Sequence, residues 1–126
     1  DIQIEIVPVP FEKISDKTPA ERSSKIRKRV IDARKIQEER FKNAEDIYSN
    51  AQMTSKQLHK FVSIDEAGRK LLKTAMEKLG LSARAYDRIL KVSRTIADLE
   101  QSEHINTSHL AEAISYRNLD REMWVR

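Results

Sequence analysis

The sequence predicts an all-α protein: a bundle of about five helices preceded by one short strand. Its 126 residues include only 2 glycines and 3 prolines, so few tight turns are expected. Good helix formers such as Lys, Glu, Leu and Ala are abundant, and apolar residues recur three and four positions apart. The length fits one domain, whose core buries roughly two-thirds of the surface of the unfolded chain.

The first segment departs from the helical pattern. Residues 2–9 alternate isoleucine with glutamine and glutamate, which is the period-two pattern of a strand. Since one strand cannot form a sheet, we interpret residues 1–17 as the last strand of an upstream domain and a linker, with a disordered tail as the alternative. The helical domain then occupies residues 18–126. Because the chain starts at Asp1 rather than Met, we expect it to be a piece of a longer protein.

The first helix is predicted from a capping box at Thr18 with Pro19 at its first position. It reaches about residue 42, and the polar residues 43–53 that follow predict a loop. One face of this helix is apolar and is expected to point inward; its members are Ile26, Val30, Ala33, Ile36 and Phe41.

Two further helices are bounded by local signals. Thr54, with Gln57 three residues later, is a second capping box, and Asp65 caps a helix that runs through Leu79 and ends at Gly80. The inward residues predicted for these two helices are Leu58, Phe61, Val62, Leu71, Leu72, Ala75, Met76 and Leu79.

The next helix is predicted to be the most buried one. It begins after the N-cap Ser82 and runs to about Gln101, and apolar residues cover much of its circumference. Asn106 is expected to cap a final helix. The inward residues of the two helices are Tyr86, Ile89, Leu90, Val92, Ile96, Ala97 and Leu99 in the first, and Leu110, Ala113 and Ile114 in the last.

Arg84 occupies an unusual position, in the first turn of this central helix. The helix dipole disfavours a cation there, whereas an arginine beside free backbone N–H groups can form an anion site. Arg88 lies one turn later on the same face, and Asp87 lies beside it. The alternative is an ordinary surface ion pair, or packing of the arginine stem on apolar neighbours.

Several kinds of chemistry are disfavoured by the sequence. It has no phosphate-binding loop, and without cysteine it has neither disulfides nor thiolate metal sites. His59, His104 and His109 share no metal-ligand spacing, so we interpret them as solvated or capping residues. The acidic residues lie in helices together with Lys and Arg, which favours surface ion pairs over paired catalytic carboxylates. No apolar run approaches the length of a membrane span and no secretory signal is evident, so we expect a cytoplasmic protein without a membrane partner.

The charge balance is mildly basic. The 24 basic and 20 acidic residues give a net charge of +4, which permits contact with nucleic acid without arguing strongly for it. One basic cluster lies in the first helix, but its side chains point in several directions and no aromatic residue is interleaved for base stacking. A solvated helix is therefore favoured over a DNA contact for its members, Lys25, Arg27, Lys28, Arg29, Arg34 and Lys35.

The run around Arg84 resembles the sensor-2 helix in the lid of AAA+ ATPases of the magnesium-chelatase type, and is most similar to the ComM and YifB group of bacterial proteins. The likeness extends from residue 1 to about residue 124 and is densest from Asn50 onward. The resembling stretches are residues 50–53 (NAQM), 79–86 (LGLSARAY), 88–92 (RILKV), 94–99 (RTIADL), 105–114, 116–117 and 119–121.

This resemblance implies a function for the chain. It would be the C-terminal helical lid that follows an AAA+ core, whose last strand is the period-two segment. Arg84 would be the sensor-2 arginine that reaches the γ-phosphate of ATP, and Arg88 would be a less secure second site residue, because other lids often carry an apolar or small residue there. The parent protein would bind ATP and Mg²⁺, would form a hexamer through its core and neighbouring subunits, and would process DNA. A stand-alone DNA-binding or protein-interaction module is the alternative.

Overall fold

The computed structural model describes residues 22–44 and 46–125, with side chains as far as Tyr116. The predicted N-terminal strand and the capping box at Thr18 lie outside these residues. The described part forms five α-helices and one short 3₁₀ helix, so the all-α prediction is confirmed. The elements are α1 (Ser23–Arg40), the 3₁₀ helix η1 (Asn50–Gln52), α2 (Ser55–Phe61), α3 (Glu66–Leu79), α4 (Ala83–Leu99) and α5 (Thr107–Val125).

The helix ends follow the capping chemistry of the sequence. Thr54 and Gln57 form the predicted capping box of α2, and the Asp65 carboxylate accepts a hydrogen bond from the backbone of α3. Gly80 ends α3 with a φ of 61°, in the left-handed region that favours glycine. The Ser82 hydroxyl accepts from the first turn of α4. The local signals were therefore sufficient to locate these boundaries.

Helix α4 is the centre of the bundle, as predicted. It packs against α1, η1, α2 and α5, and it contributes buried apolar residues together with buried polar ones. A parallel β-bridge between Ile64 and Ile105 also ties the turn before α3 to the turn before α5. The apolar core consists of Phe41, Ile47, Met53, Leu58, Val62, Leu72, Ile89, Leu90, Ala97, Ile105, Leu110, Ala113 and Ile114.

The structure corrects the predicted inward positions of three residues and adds an element to a predicted loop. Ile26 and Val30 of α1 were expected to point into the core, but they are 44% and 36% exposed, because the first half of α1 is not packed closely against α4. Leu99, the last residue of α4, is also exposed, because it lines an open groove between α1 and α4 rather than the core. The predicted loop at 43–53 contains η1, whose first residue, Asn50, is buried.

Candidate functional site

The first turn of α4 presents Arg84 to solvent. Ala83 is the first residue of the helix, and the hydroxyl of the N-cap Ser82 accepts a hydrogen bond from the Ala85 N–H at 3.2 Å. Arg84 itself is exposed and makes no hydrogen bond or ion pair within the described residues. The cation disfavoured by the helix dipole is therefore not compensated by a neighbouring acid in the described part of the chain.

Asp87 has a different partner from the one that the sequence suggested. Its carboxylate accepts a hydrogen bond of 2.7 Å from the hydroxyl of Ser55, the first residue of α2. This bond fastens α2 to the first half of α4. No ion pair between Asp87 and Arg84 is present among the described residues, so the surface ion pair considered for Arg84 is not formed in this structure.

Arg88 lies one turn after Arg84 but has other surroundings. It is half-buried and lines a groove of about 770 Å³ between α1, α4 and α5, here called the α1 groove. The groove is lined by apolar and charged side chains, and burial together with the charge of Glu112 raises the pKa of the Tyr116 phenol in this lining. Residues of the α1 groove include Ile26, Val30, Arg88, Lys91, Ile96 and Tyr116.

A buried polar group, here called the Asp98 cluster, lies at the other end of α4 and comprises Arg40, Asn50, Arg94 and Asp98. The Asp98 side chain has no solvent exposure. Its two carboxylate oxygens accept from the two terminal nitrogens of Arg40 at 2.7 and 2.9 Å. They also accept from the Asn50 amide at 2.9 Å and from Nε of Arg94 at 3.2 Å. Three elements, α1, η1 and α4, therefore converge on one carboxylate.

Members of the cluster make further hydrogen bonds. The Asn50 amide oxygen accepts from Arg40 at 2.9 Å, and the Arg94 guanidinium donates to the carbonyls of Ser102 and Glu103. Burial lowers the pKa of Arg94, and the charge of Asp98 acts in the opposite direction. Hydrogen bonding of this kind allows charged groups to remain in a protein interior.

Comparison with known proteins identifies the family. A family model described as magnesium chelatase, subunit ChlI C-terminal, matches residues 20–117. The chain belongs to this family. It is 41% identical over 123 residues to the uncharacterized protein YifB of Escherichia coli and 40% identical over 124 residues to the competence protein ComM of Haemophilus influenzae. In both cases the alignment covers 96% of this chain and 23% of the relative.

Membership of the magnesium chelatase C-terminal family agrees with the resemblance carried by the motif around Arg84. Two of the resembling stretches, residues 50–53 and 94–99, contribute three members of the Asp98 cluster. Those stretches therefore have a structural role that does not involve Arg84 directly. The sequence alone did not reveal this cluster: its acidic residues were predicted to form surface pairs, which is wrong for Asp98.

The other candidates from the sequence remain apart from one another. His59 and His104 are exposed, whereas His109 is buried at the start of α5. Among the described residues, no group of His, Cys, Asp and Glu side chains is arranged to hold a metal ion. The described helices include none that is long and apolar enough to cross a membrane. The basic side chains of the first half of α1 are all exposed.

Proposed function

We propose that this chain is the helical lid of an AAA+ ATPase of the magnesium-chelatase type, and that Arg84 is its sensor-2 arginine. The observation that carries the proposal is the exposed Arg84 side chain, which lacks a partner within the described residues although it stands at the positive end of α4. An anionic ligand would relieve this unfavourable position. The family match and the resemblance of residues 79–86 to the sensor-2 helix support the same assignment.

The chemistry of the proposal is electrostatic. A guanidinium placed against the terminal phosphate of ATP stabilises the charge that is redistributed during phosphoryl transfer. The sequence of this chain has no phosphate-binding loop, so ATP and Mg²⁺ would be held by a core elsewhere in a longer protein. Arg84 would then close over a nucleotide that the lid alone does not bind.

The test of this role requires the full-length protein. Arg84→Ala should lower kcat for ATP by roughly 10²–10³-fold, the usual effect of removing one preorganised charge-stabilising donor. The loss is smaller if the arginine acts mainly on lid closure. Arg84→Lys should restore activity only in part, since an ammonium does not reproduce the planar fork of the guanidinium.

Arg69 offers a matched control. It is an exposed arginine near the start of α3, on a different helix from Arg84. Arg69→Ala should leave ATP turnover unchanged, and thermal melting should show that both variants are folded. Normal turnover and normal nucleotide affinity in the Arg84→Ala protein would refute the sensor-2 assignment.

The isolated chain provides a second test. Without a phosphate-binding loop it should neither bind ATP tightly nor hydrolyse it. Calorimetric titration with ATP and Mg²⁺ measures binding, and phosphate release measures turnover. Micromolar affinity together with steady turnover would contradict the lid assignment.

DNA is the second candidate partner, beside the core and neighbouring subunits of the proposed hexamer. The name of one relative, a competence protein, is consistent with DNA processing by the longer protein. The observation that favours a contact by this chain is the exposure of Lys25, Arg27, Lys28 and Arg29 on the first half of α1. Fluorescence anisotropy with duplex DNA tests it: binding should weaken steeply with salt and should be reduced by Lys25→Glu/Lys28→Glu. Salt-independent binding, or none, would exclude this contact.

A further inference from the structure

Helix α1 is attached to the bundle mainly through its second half. Every residue from 22 to 31 is exposed, and the first buried residue of α1 is Ala33, followed by Gln37. The α1 groove lies beneath the exposed half, between it and α4. The buried contacts of α1 therefore lie near its C-terminal end.

Those contacts are largely polar and directional. Arg40, the last residue of α1, forms a bidentate ion pair with the carboxylate of Asp98 near the end of α4. Gln37, one turn earlier, accepts a hydrogen bond of 3.0 Å from the Asn50 backbone N–H. The ring of Phe41 adds an edge-to-face contact with Phe61 of α2, with the ring centroids 5.2 Å apart. A bidentate pair of hydrogen bonds restricts the orientation of α1 relative to α4 more than an apolar contact does.

The same helix that carries Asp98 carries Arg84 at its opposite end. At about 1.5 Å per residue, the two lie about 21 Å apart along the axis of α4. A change of about 5° in the angle between α1 and α4, pivoting at Asp98, would displace Arg84 by about 2 Å relative to α1. Displacements of that size matter, because a misplacement of about 1 Å can lower a rate by about 10²-fold.

We propose that Asp98 is a positioning residue for Arg84: the Asp98 cluster sets the angle between α1 and α4, and thereby the position of Arg84 relative to the part of the protein that precedes α1. This inference rests on the proposed function of Arg84 and extends it, because it assigns the coupling between the lid and the preceding domain to four residues far from the nucleotide. The α1 groove provides the space into which α1 turns when the cluster is weakened.

The orientation of α1 can be followed in this chain without reference to ATP, through its distance from α2, which packs against α4. The sequence has no cysteine, so Lys28→Cys on α1 and Lys56→Cys on α2, both exposed, introduce two unique sites for nitroxide labels. Pulsed electron–electron double resonance should give a single narrow distribution of the distance between the two labels. Arg40→Lys, which removes the bidentate hydrogen bonding but keeps the charge, should shift or broaden that distribution. Leu72→Ala, a core change on α3, should destabilise the protein and leave the distribution unchanged.

The effect on Arg84 is measured in the full-length protein. Asp98→Asn and Arg40→Lys should lower kcat by about 10- to 100-fold with little change in KM, because they misplace Arg84 without removing it. In an Arg84→Ala background the same changes should have no further effect on kcat. If the cluster had only a structural role, its variants would lower kcat further in this background as well. Arg40→Lys keeps the test available if Asp98→Asn does not fold.

The outcomes distinguish the positioning role of Asp98 from the proposed function of Arg84. An unchanged label distribution in Arg40→Lys, or normal activity in both cluster variants while Arg84→Ala is impaired, overturns the positioning role alone. Normal activity in Arg84→Ala overturns the proposed function and the positioning role with it. Equal kcat losses for Leu72→Ala and Arg40→Lys also overturn it, because the loss would then follow stability.

Discussion

Gly68 of α3 and Leu110 of α5 meet so closely that a Cβ atom on Gly68 would lie 2.9 Å from Cδ1 of Leu110. Leu110 is completely buried, so its side chain is surrounded by other core atoms. The Gly68 N–H also donates to the Asp65 carboxylate at 2.8 Å, which fixes the first turn of α3 at this point. The close approach of α3 and α5 therefore depends on the absence of a side chain at position 68.

Gly68→Ala should destabilise the protein. Alanine favours a helix over glycine by up to about 1 kcal/mol, but overpacking a filled core costs about 1–3 kcal/mol, so the second effect dominates. Urea unfolding measures the difference, and Gly68→Ala/Leu110→Val should recover part of it by removing the crowded methyl group. An increase in stability from Gly68→Ala alone would show that Leu110 can move aside.

The buried ring of His109 holds the turn that begins α5. The Asn106 N–H donates to Nδ1 of His109 at 2.9 Å, which places the ring proton on Nε2, and Nε2 lies 2.6 Å from a carboxylate oxygen of Glu100. His109→Leu should cost about 1–3 kcal/mol, because the Asn106 N–H would lose its acceptor. Glu100→Gln should cost less than about 1 kcal/mol, since that side chain is 63% exposed and an amide oxygen still accepts. Equal losses in chemical denaturation would mean that the hydrogen bond to Glu100, rather than the one from Asn106, stabilises this turn.

Burial separates two isoleucines that share the same periodicity in the sequence. Ile89 of α4 is 1% exposed, and Ile89→Ala should lower the free energy of unfolding by about 2–5 kcal/mol. Ile26→Ala should cost less than about 1 kcal/mol, because this residue is already 44% exposed. Thermal or urea unfolding of the two variants checks this, and a large loss for Ile26→Ala would indicate that the first half of α1 packs more tightly than the structure shows.

The comparison of sequence and structure shows which physical signals are local. The ends of α2, α3 and α4 were predictable because Thr54, Asp65, Gly80 and Ser82 act on backbone groups within three residues of themselves. The inward face of α4 was predictable because Ile89, like its apolar neighbours, follows the helical period. Both signals can be read without knowing what else the helix touches.

The Asp98 cluster and the exposure of Ile26 depend on contacts between distant parts of the chain. Arg40 and Asp98 come into contact only when α1 packs against α4, and no spacing within either helix predicts this contact. A partial signal was present, because Arg94 and Asp98 lie on the same face of α4 as the buried Leu90. Polar residues on an otherwise buried face indicate a polar network in the interior. The role of Arg84 stays a prediction, since its proposed ligand would be bound by another domain.

The Asp98 cluster gives the sharpest stability prediction for this chain. Asp98→Asn keeps the size of the side chain but removes its charge, and it leaves the buried guanidinium groups of Arg40 and Arg94 without a counterion. Breaking a buried ion pair by removing one partner costs about 3–5 kcal/mol, because the remaining charge is uncompensated.

Asp87→Asn on the same helix is the matched control. The hydrogen bond from Ser55 lies in a half-exposed position, and the amide oxygen of the variant can still accept it. The free energy of unfolding should therefore fall by less than about 1 kcal/mol in Asp87→Asn. Urea unfolding of both variants, with unchanged m-values as the sign of an unchanged unfolded state, measures the contrast. Similar small losses in the two would mean that water or the amide of Asn50 compensates the arginines, and that the cluster does not depend on the charge of Asp98.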